Sequence, residues 1–174
     1  PGFLIRLREL CDKYGILLVV DEVQTGIARC GKLFASEHYG VEPDILTLAK
    51  GLGGGLTVSA VVGKQALMDA AEPGGLGSTY AGNAVAVAGA LAVLDVVQEE
   101  KLCDRAMMLG ERMQARFGAM KGRFPSIAEV RGLGAMVAVE FCRDGDPQQP
   151  ADYIAGALKD EAARRGLLLL TCGV

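Results

Sequence analysis

Ile16-Leu17-Leu18-Val19-Val20-Asp21-Glu22-Val23-Gln24 and Asp44-Ile45-Leu46-Thr47-Leu48-Ala49-Lys50-Gly51 share one pattern: an apolar run that ends in ionisable groups. A run without polar alternation is the signature of a strand buried on both faces, as in a parallel sheet. Lysine is almost never fully buried without a partner. A strand that delivers Lys50 onto the turn Gly51-Leu52-Gly53-Gly54-Gly55 is therefore an unusual use of the residue. Two strands that each end in an ionisable group put one site at the carboxyl edge of a sheet, where ligands bind in open α/β folds.

Outward from these runs, periodicity and turn residues divide the chain. Leu4, Leu7, Leu10 and Cys11 share one face of a helix over 3–14, stopped by Gly15. Strands are expected at 16–20, 45–48 and 58–62, with a loop at 21–31 and short helices at 32–39 and 64–71. A glycine-rich loop covers 72–82. Asn83 is a favoured N-cap for a helix reaching Glu100, and a further helix covers 101–121. Strands at 127–131 and 135–141 flank Gly132-Leu133-Gly134, a hairpin signal. A polar, turn-rich stretch at 143–150, a helix at 151–165 and a strand at 167–171 complete the reading. Strands alternate with helices up to about residue 100, as in a parallel α/β sheet. After it the order suggests an α+β subdomain, so the expected division is 1–100 and 101–174.

Composition narrows the function classes. Of 174 residues, 51% are hydrophobic, which suits a core-rich domain rather than a disordered chain. A net charge of -3 does not favour nucleic acid. The longest apolar stretch, Ala84 to Val97, is too short to span a membrane. Glycine, with 24 residues, is about twice its usual share of roughly 7%. It clusters at 51–55 and 74–77, two loops expected to approach something closely. Cys11, Cys30, Cys103, Cys142 and Cys172 show no C-x-x-C spacing, and His38 is the one histidine, which argues against zinc or a disulfide scaffold. Scattered free thiols suit a reducing cytoplasm. The chain opens on Pro1 and closes directly after the apolar run Leu167 to Leu170, and so reads as an internal piece of a longer protein.

Singly, each candidate has a plain structural reading. Asp21 can be a solvated loop carboxylate or a helix cap, and Lys50 a snorkelling lysine. His38 reads as a packing residue, Met107, Met108 and Met113 as helix packing. Arg105, Arg112 and Arg116, interleaved with Asp104 and Glu111, read as a solvated face. Together, an amine and a carboxylate at one sheet edge are what pyridoxal phosphate requires: an amine for its aldehyde and an anion for its pyridinium nitrogen.

The segments Leu18 to Gly26, Pro43 to Gly51 and Gly75-Leu-Gly-Ser-Thr79-Tyr-Ala-Gly82-Asn83 make a resemblance specific. The chain resembles the class III aminotransferases. Pro73 to Asn83 and Val130-Arg-Gly-Leu-Gly-Ala-Met-Val-Ala-Val-Glu140 are similar to the pattern of the bacterial 4-aminobutyrate subgroup. The resemblance runs through essentially the whole chain, whereas Gly51, Gly53 and Gly55 have the wrong spacing for Walker or dinucleotide-binding loops.

The resemblance implies an α/β, fold-type I large domain, partial here, with a mostly parallel sheet and helices on both faces, plus an α+β C-terminal subdomain. It implies pyridoxal 5'-phosphate as cofactor and 2-oxoglutarate as amino acceptor, with a homodimer sharing its active sites. Lys50 would bond the cofactor and shuttle the substrate proton. Asp21 would pair with the ring nitrogen, and Gln24 would bond the ring hydroxyl side. Thr79 would reach the phosphate bound by the neighbouring subunit, while Glu22 would act behind these or structurally. The donor would be an ω-amino acid such as 4-aminobutyrate. Other members, acting on ornithine, acetylornithine or diaminobutyrate, or an aminomutase, remain open, as does a non-catalytic dimerising remnant. Two departures stand out: Gly55-Leu56-Thr57-Val58 lacks the aromatic or proline many relatives carry, and Ala84 replaces a common proline. The isolated chain is expected to be inactive.

Overall fold

The computed structural model describes residues 2–172, which group into two compact units, Pro1–Met108 and Leu109–Val174. The division falls inside one helix, α4 (Leu102–Lys121).

The first unit opens with α1 (Phe3–Tyr14). Gly15, at φ 64, ends it by turning its N–H back onto the last carbonyls. Its inner face sets Cys11, Leu4 and Leu7 against Leu18, Val20 and Val41. Strand β1 (Val19–Asp21) runs parallel to β2 (Ile45–Leu48), with Asp21 opposite Thr47. Strand β3 (Ala60–Gly63) pairs antiparallel with the other edge of β2. The order β1-β2-β3 thus carries one parallel and one antiparallel pairing. A short helix α2 (Gln65–Met68) follows β3, and α3 (Ala84–Glu99) follows the long loop. Asn83 caps α3: its side-chain oxygen accepts the Ala86 N–H at 3.0 Å.

A buried carboxylate ties this unit together. Asp44 accepts from the Leu18 N–H at 2.7 Å, from Lys64 at 2.7 Å and from Arg8 at 2.8 Å. The Lys64 ammonium, then the Leu18 N–H, then Arg8 hold its carboxyl well below the usual range. One side chain thereby links α1, the approach to β1, the start of β2 and the approach to α2.

In the second unit β4 (Ile127–Leu133) and β5 (Met136–Arg143) form the expected hairpin. Strand β6 (Asp146–Pro150) adds to β5, and α5 (Asp152–Arg164) packs on β5. Helix α4 runs from Leu102 to Lys121.

Several boundaries differ from the sequence reading. The run 16–20 becomes a strand only at Val19, with Ile16 and Leu17 exposed before it. The helix expected at 32–39 is a 3-10 turn, Ala35–Tyr39, ended by Gly40 at φ 61. The strand expected at 58–62 starts and ends later, and α2 keeps only four residues of 64–71. The stretch 143–150 contains a strand that its two prolines disguised; proline is tolerated there because β6 lies on an edge. The strand expected at 167–171 does not form, since no described strand offers it a ladder.

Candidate functional site

Parallel pairing brings two of the expected residues to one edge. Asp21 ends β1, and Lys50 stands two residues past the end of β2, so both lie at the carboxyl ends of neighbouring strands. The loop after β1 lies against the turn after β2: a side chain built on Gly51 would begin 3.6 Å from the Cβ of Ile27.

The backbone here departs from the usual regions. Lys50 sits at φ 46, and Ile27 and Ala28 at φ 53 and 67. Left-handed backbone costs a non-glycine residue about 1–3 kcal/mol, and such strain clusters at functional sites. The turn Lys50–Gly53 then passes Gly54, at φ 59, where a Cβ would lie 2.7 Å from Cγ2 of Val93 in α3. A bare backbone at Gly54 therefore lets α3 close on the turn that begins with Lys50.

Asp21 and Glu22 are sequence neighbours with opposite surroundings: the Glu22 N–H still bonds Thr47 just past the end of β1, and the alternation of side chains carries on to it. Asp21 is exposed; one of its oxygens accepts the Val23 N–H at 2.9 Å, and the other has no hydrogen bond among the described residues. Glu22 is only 1% exposed. One of its oxygens accepts the Ser36 N–H at 2.8 Å, the other the Ala35 N–H at 3.1 Å and the Thr25 hydroxyl.

Lys50, Gln24 and Thr79 are exposed or half-exposed at the surface, and their side chains take part in no hydrogen bond or ion pair among the described residues. Gln24 lies in the turn just beyond Asp21. Among the described residues no hydrogen bond joins Thr79 to the sheet edge; it stands in the exposed loop 72–82 that leads into α3. An unpartnered amine and an unpartnered carboxylate oxygen at one sheet edge fit what pyridoxal phosphate requires, an amine for its aldehyde and an anion for its pyridinium nitrogen.

Other candidates are occupied by structure. The Nε2–H of His38 donates to the Cys30 carbonyl at 2.7 Å. Burial, reinforced by Glu22, pushes the Cys30 thiol up; burial, with Glu37 and Asp104, does the same for Cys103, so neither forms a ready thiolate. No cluster able to hold a metal occurs among the described residues. Of two surface hollows, one is lined by Leu33, Leu94, Val97 and Lys101 and the other by Arg112, Ala115 and Arg116; neither includes the four residues above.

Sequence reasoning missed the left-handed pair Ile27-Ala28 and left Glu22 undecided. No local signal marks the first, since both residue types avoid that region. For Glu22 the signal was the strand pleat, which sets it opposite Asp21.

The family model "Aminotransferase class-III" matches residues 1–174. Over 172 residues the chain is 50% identical to a 5-aminovalerate aminotransferase of Pseudomonas aeruginosa, covering 99% of this chain and 40% of that protein. It is 46% identical over 173 residues to the 4-aminobutyrate aminotransferase of Escherichia coli, covering 99% and 41%. A PLP-bound amine transaminase from an uncultivated Pseudomonas species superposes with a TM-score of 0.89 at 39% identity, covering 99% of this chain and 41% of that one. The chain thus spans about 40% of the length of the curated relatives it matches.

Proposed function

This chain belongs to the class III aminotransferases, and from that premise we propose that the protein carrying it moves an amino group from an ω-amino acid to 2-oxoglutarate with pyridoxal 5'-phosphate. Pyridoxal phosphate supplies an aldehyde that captures the amine and a ring that accepts electrons from the substrate carbon. One observation carries the reading: an unpartnered Lys50 amine and an unpartnered Asp21 oxygen at the carboxyl ends of adjacent parallel strands.

In this reading Lys50 would hold the cofactor through Nζ and, when that nitrogen is free, would take and return the substrate proton there. Asp21 keeps the ring nitrogen protonated through a charge-assisted contact. Gln24 bonds the ring hydroxyl side. Thr79 serves the phosphate of the neighbouring subunit in a homodimer. Its loop suits such a role, since Leu76 is 72% and Tyr80 82% exposed, and apolar surface of this kind marks interaction sites. We assign 1–100 to the cofactor-binding domain and 101–174 to the small subdomain, and place the protein in the cytoplasm. No helix among the described residues is long and apolar enough to cross a membrane.

The names of the two relatives, acting on five- and four-carbon ω-amino acids, support this donor class. The test is to load the whole protein with pyridoxal phosphate, reduce with borohydride and map the labelled peptide. Label on the Lys50 peptide, with turnover of 4-aminobutyrate or 5-aminovalerate, is the expected result. Label on Lys64 overturns the site assignment, and label without turnover of any ω-amine supports a non-catalytic remnant.

A further inference from the structure

Every polar atom of Glu22 has a partner within the chain. Its N–H donates to the Thr47 carbonyl of β2 at 3.0 Å, and its carbonyl accepts the Gly26 N–H at 2.9 Å. Its carboxylate takes the N–H groups of Ala35 and Ser36 and the Thr25 hydroxyl. At 1% exposure Glu22 presents none of these atoms to a ligand at the surface. Gly26 closes the arrangement: a Cβ there would lie 2.8 Å from the Glu22 carbonyl oxygen and 3.3 Å from the Glu22 Cβ. Glu22 therefore clamps the end of β1 at once to β2, to the turn 22–26 and to the start of the 3-10 turn Ala35–Tyr39.

The residue immediately before this clamp is Asp21, and the one two residues after it is Gln24. Among the described residues Asp21 has only the Val23 N–H to orient its carboxylate, and that N–H belongs to the turn Glu22 holds. A carboxylate that is exposed and singly bonded keeps one direction only if its backbone is fixed.

We propose that Glu22 is a positioning residue for Asp21: its buried carboxylate fixes the strand end from which Asp21 presents its free oxygen to the cofactor ring. The inference rests on the reading of Asp21 as the pyridinium partner. Glu22→Gln keeps the shape but turns an amide N–H₂ toward backbone N–H groups, so at least one buried donor loses its acceptor. Residues that orient a binding group typically cost about 10–100-fold when changed, as measured around metal ligands.

The experiment measures the dissociation constant of pyridoxal phosphate for the whole apoprotein, well below its unfolding temperature. Four forms are compared: wild type, Glu22→Gln, Asp21→Asn and the double variant. Glu22→Gln is expected to bind about tenfold more weakly, near the lower end of that range. In the Asp21→Asn background the same change is expected to add less than about twofold, because coupled residues are non-additive. Asp44→Asn is the control, a second buried and fully bonded carboxylate at the opposite end of β2. It should lower the melting temperature and leave cofactor affinity unchanged. Thr25→Val removes one donor to Glu22 and serves if Glu22→Gln does not fold; a weaker loss of the same kind is expected.

Equal affinity in wild type and Glu22→Gln, or in Thr25→Val if that is the variant that folds, overturns the proposal. Losses that simply add to those of Asp21→Asn overturn it too, since Glu22 would then act on stability alone. A wild type that binds pyridoxal phosphate while Asp21→Asn binds equally well overturns the reading of Asp21 instead, and the proposal with it.

Discussion

Two glycines of α4 make opposite predictions for the same substitution. Within a helix, Gly→Ala gains about 0.8–1.0 kcal/mol from propensity alone. Gly118 is exposed, and a Cβ there meets nothing within 4 Å. Gly118→Ala should therefore stabilise by about 1 kcal/mol. Gly110 is buried, and a Cβ there would run into the backbone carbonyl of Gly134, in the turn between β4 and β5. Backbone cannot swing aside like a side-chain tip. Overpacking costs typically about 1–3 kcal/mol, and contact with a carbonyl puts this case at the upper end. Subtracting the propensity gain leaves Gly110→Ala destabilised by about 2 kcal/mol. For a chain of this size each kcal/mol moves the melting temperature by about 2–4 °C. Gly118→Ala should rise by about 2–4 °C and Gly110→Ala fall by about 4–8 °C. Thermal unfolding followed by circular dichroism measures both. A Gly110→Ala protein as stable as Gly118→Ala would show that α4 does not approach the hairpin turn as described.

Acid should act through Asp44. Its carboxyl is held below its ordinary value of about 3.9. The stability it contributes is then complete above about pH 4 and is lost as pH falls further, toward the folded-state value. Urea midpoints from pH 6 to pH 2 should drop more steeply below about pH 4 in wild type than in Asp44→Asn; parallel curves would refute this. Site sharing is testable by mixing a Lys50→Ala subunit with a Thr79→Ala subunit. If Thr79 serves the neighbour, one site of each mixed dimer carries both defects and the other neither. About half the wild-type activity should return, and no recovery in verified mixed dimers would count against sharing.

Helices were legible in the chain because their signals are local. Leu4, Leu7 and Cys11 repeat at helical spacing, Asn83 supplies a cap within its own turn, and Gly15 supplies a stop. The hairpin around Gly132-Leu133-Gly134 was legible for the same reason. The placement of a carboxylate and a lysine at two strand ends was also visible, because each run terminates in its ionisable group. Strands depend on partners that sequence does not name. Leu167 to Leu170 has the apolar content of a strand and forms none, while Asp146 to Pro150 lacks that content and forms one because β5 offers an edge. The tertiary structure alone decided which of two adjacent carboxylates stays free. Asp21 and Glu22 are nearly equivalent as letters; the fold left the last residue of β1 outward and sank the next one among the N–H groups of Ala35 and Ser36. It also decided the left-handed backbone at Ile27, Ala28 and Lys50, a conformation their residue types disfavour and only the surrounding packing holds.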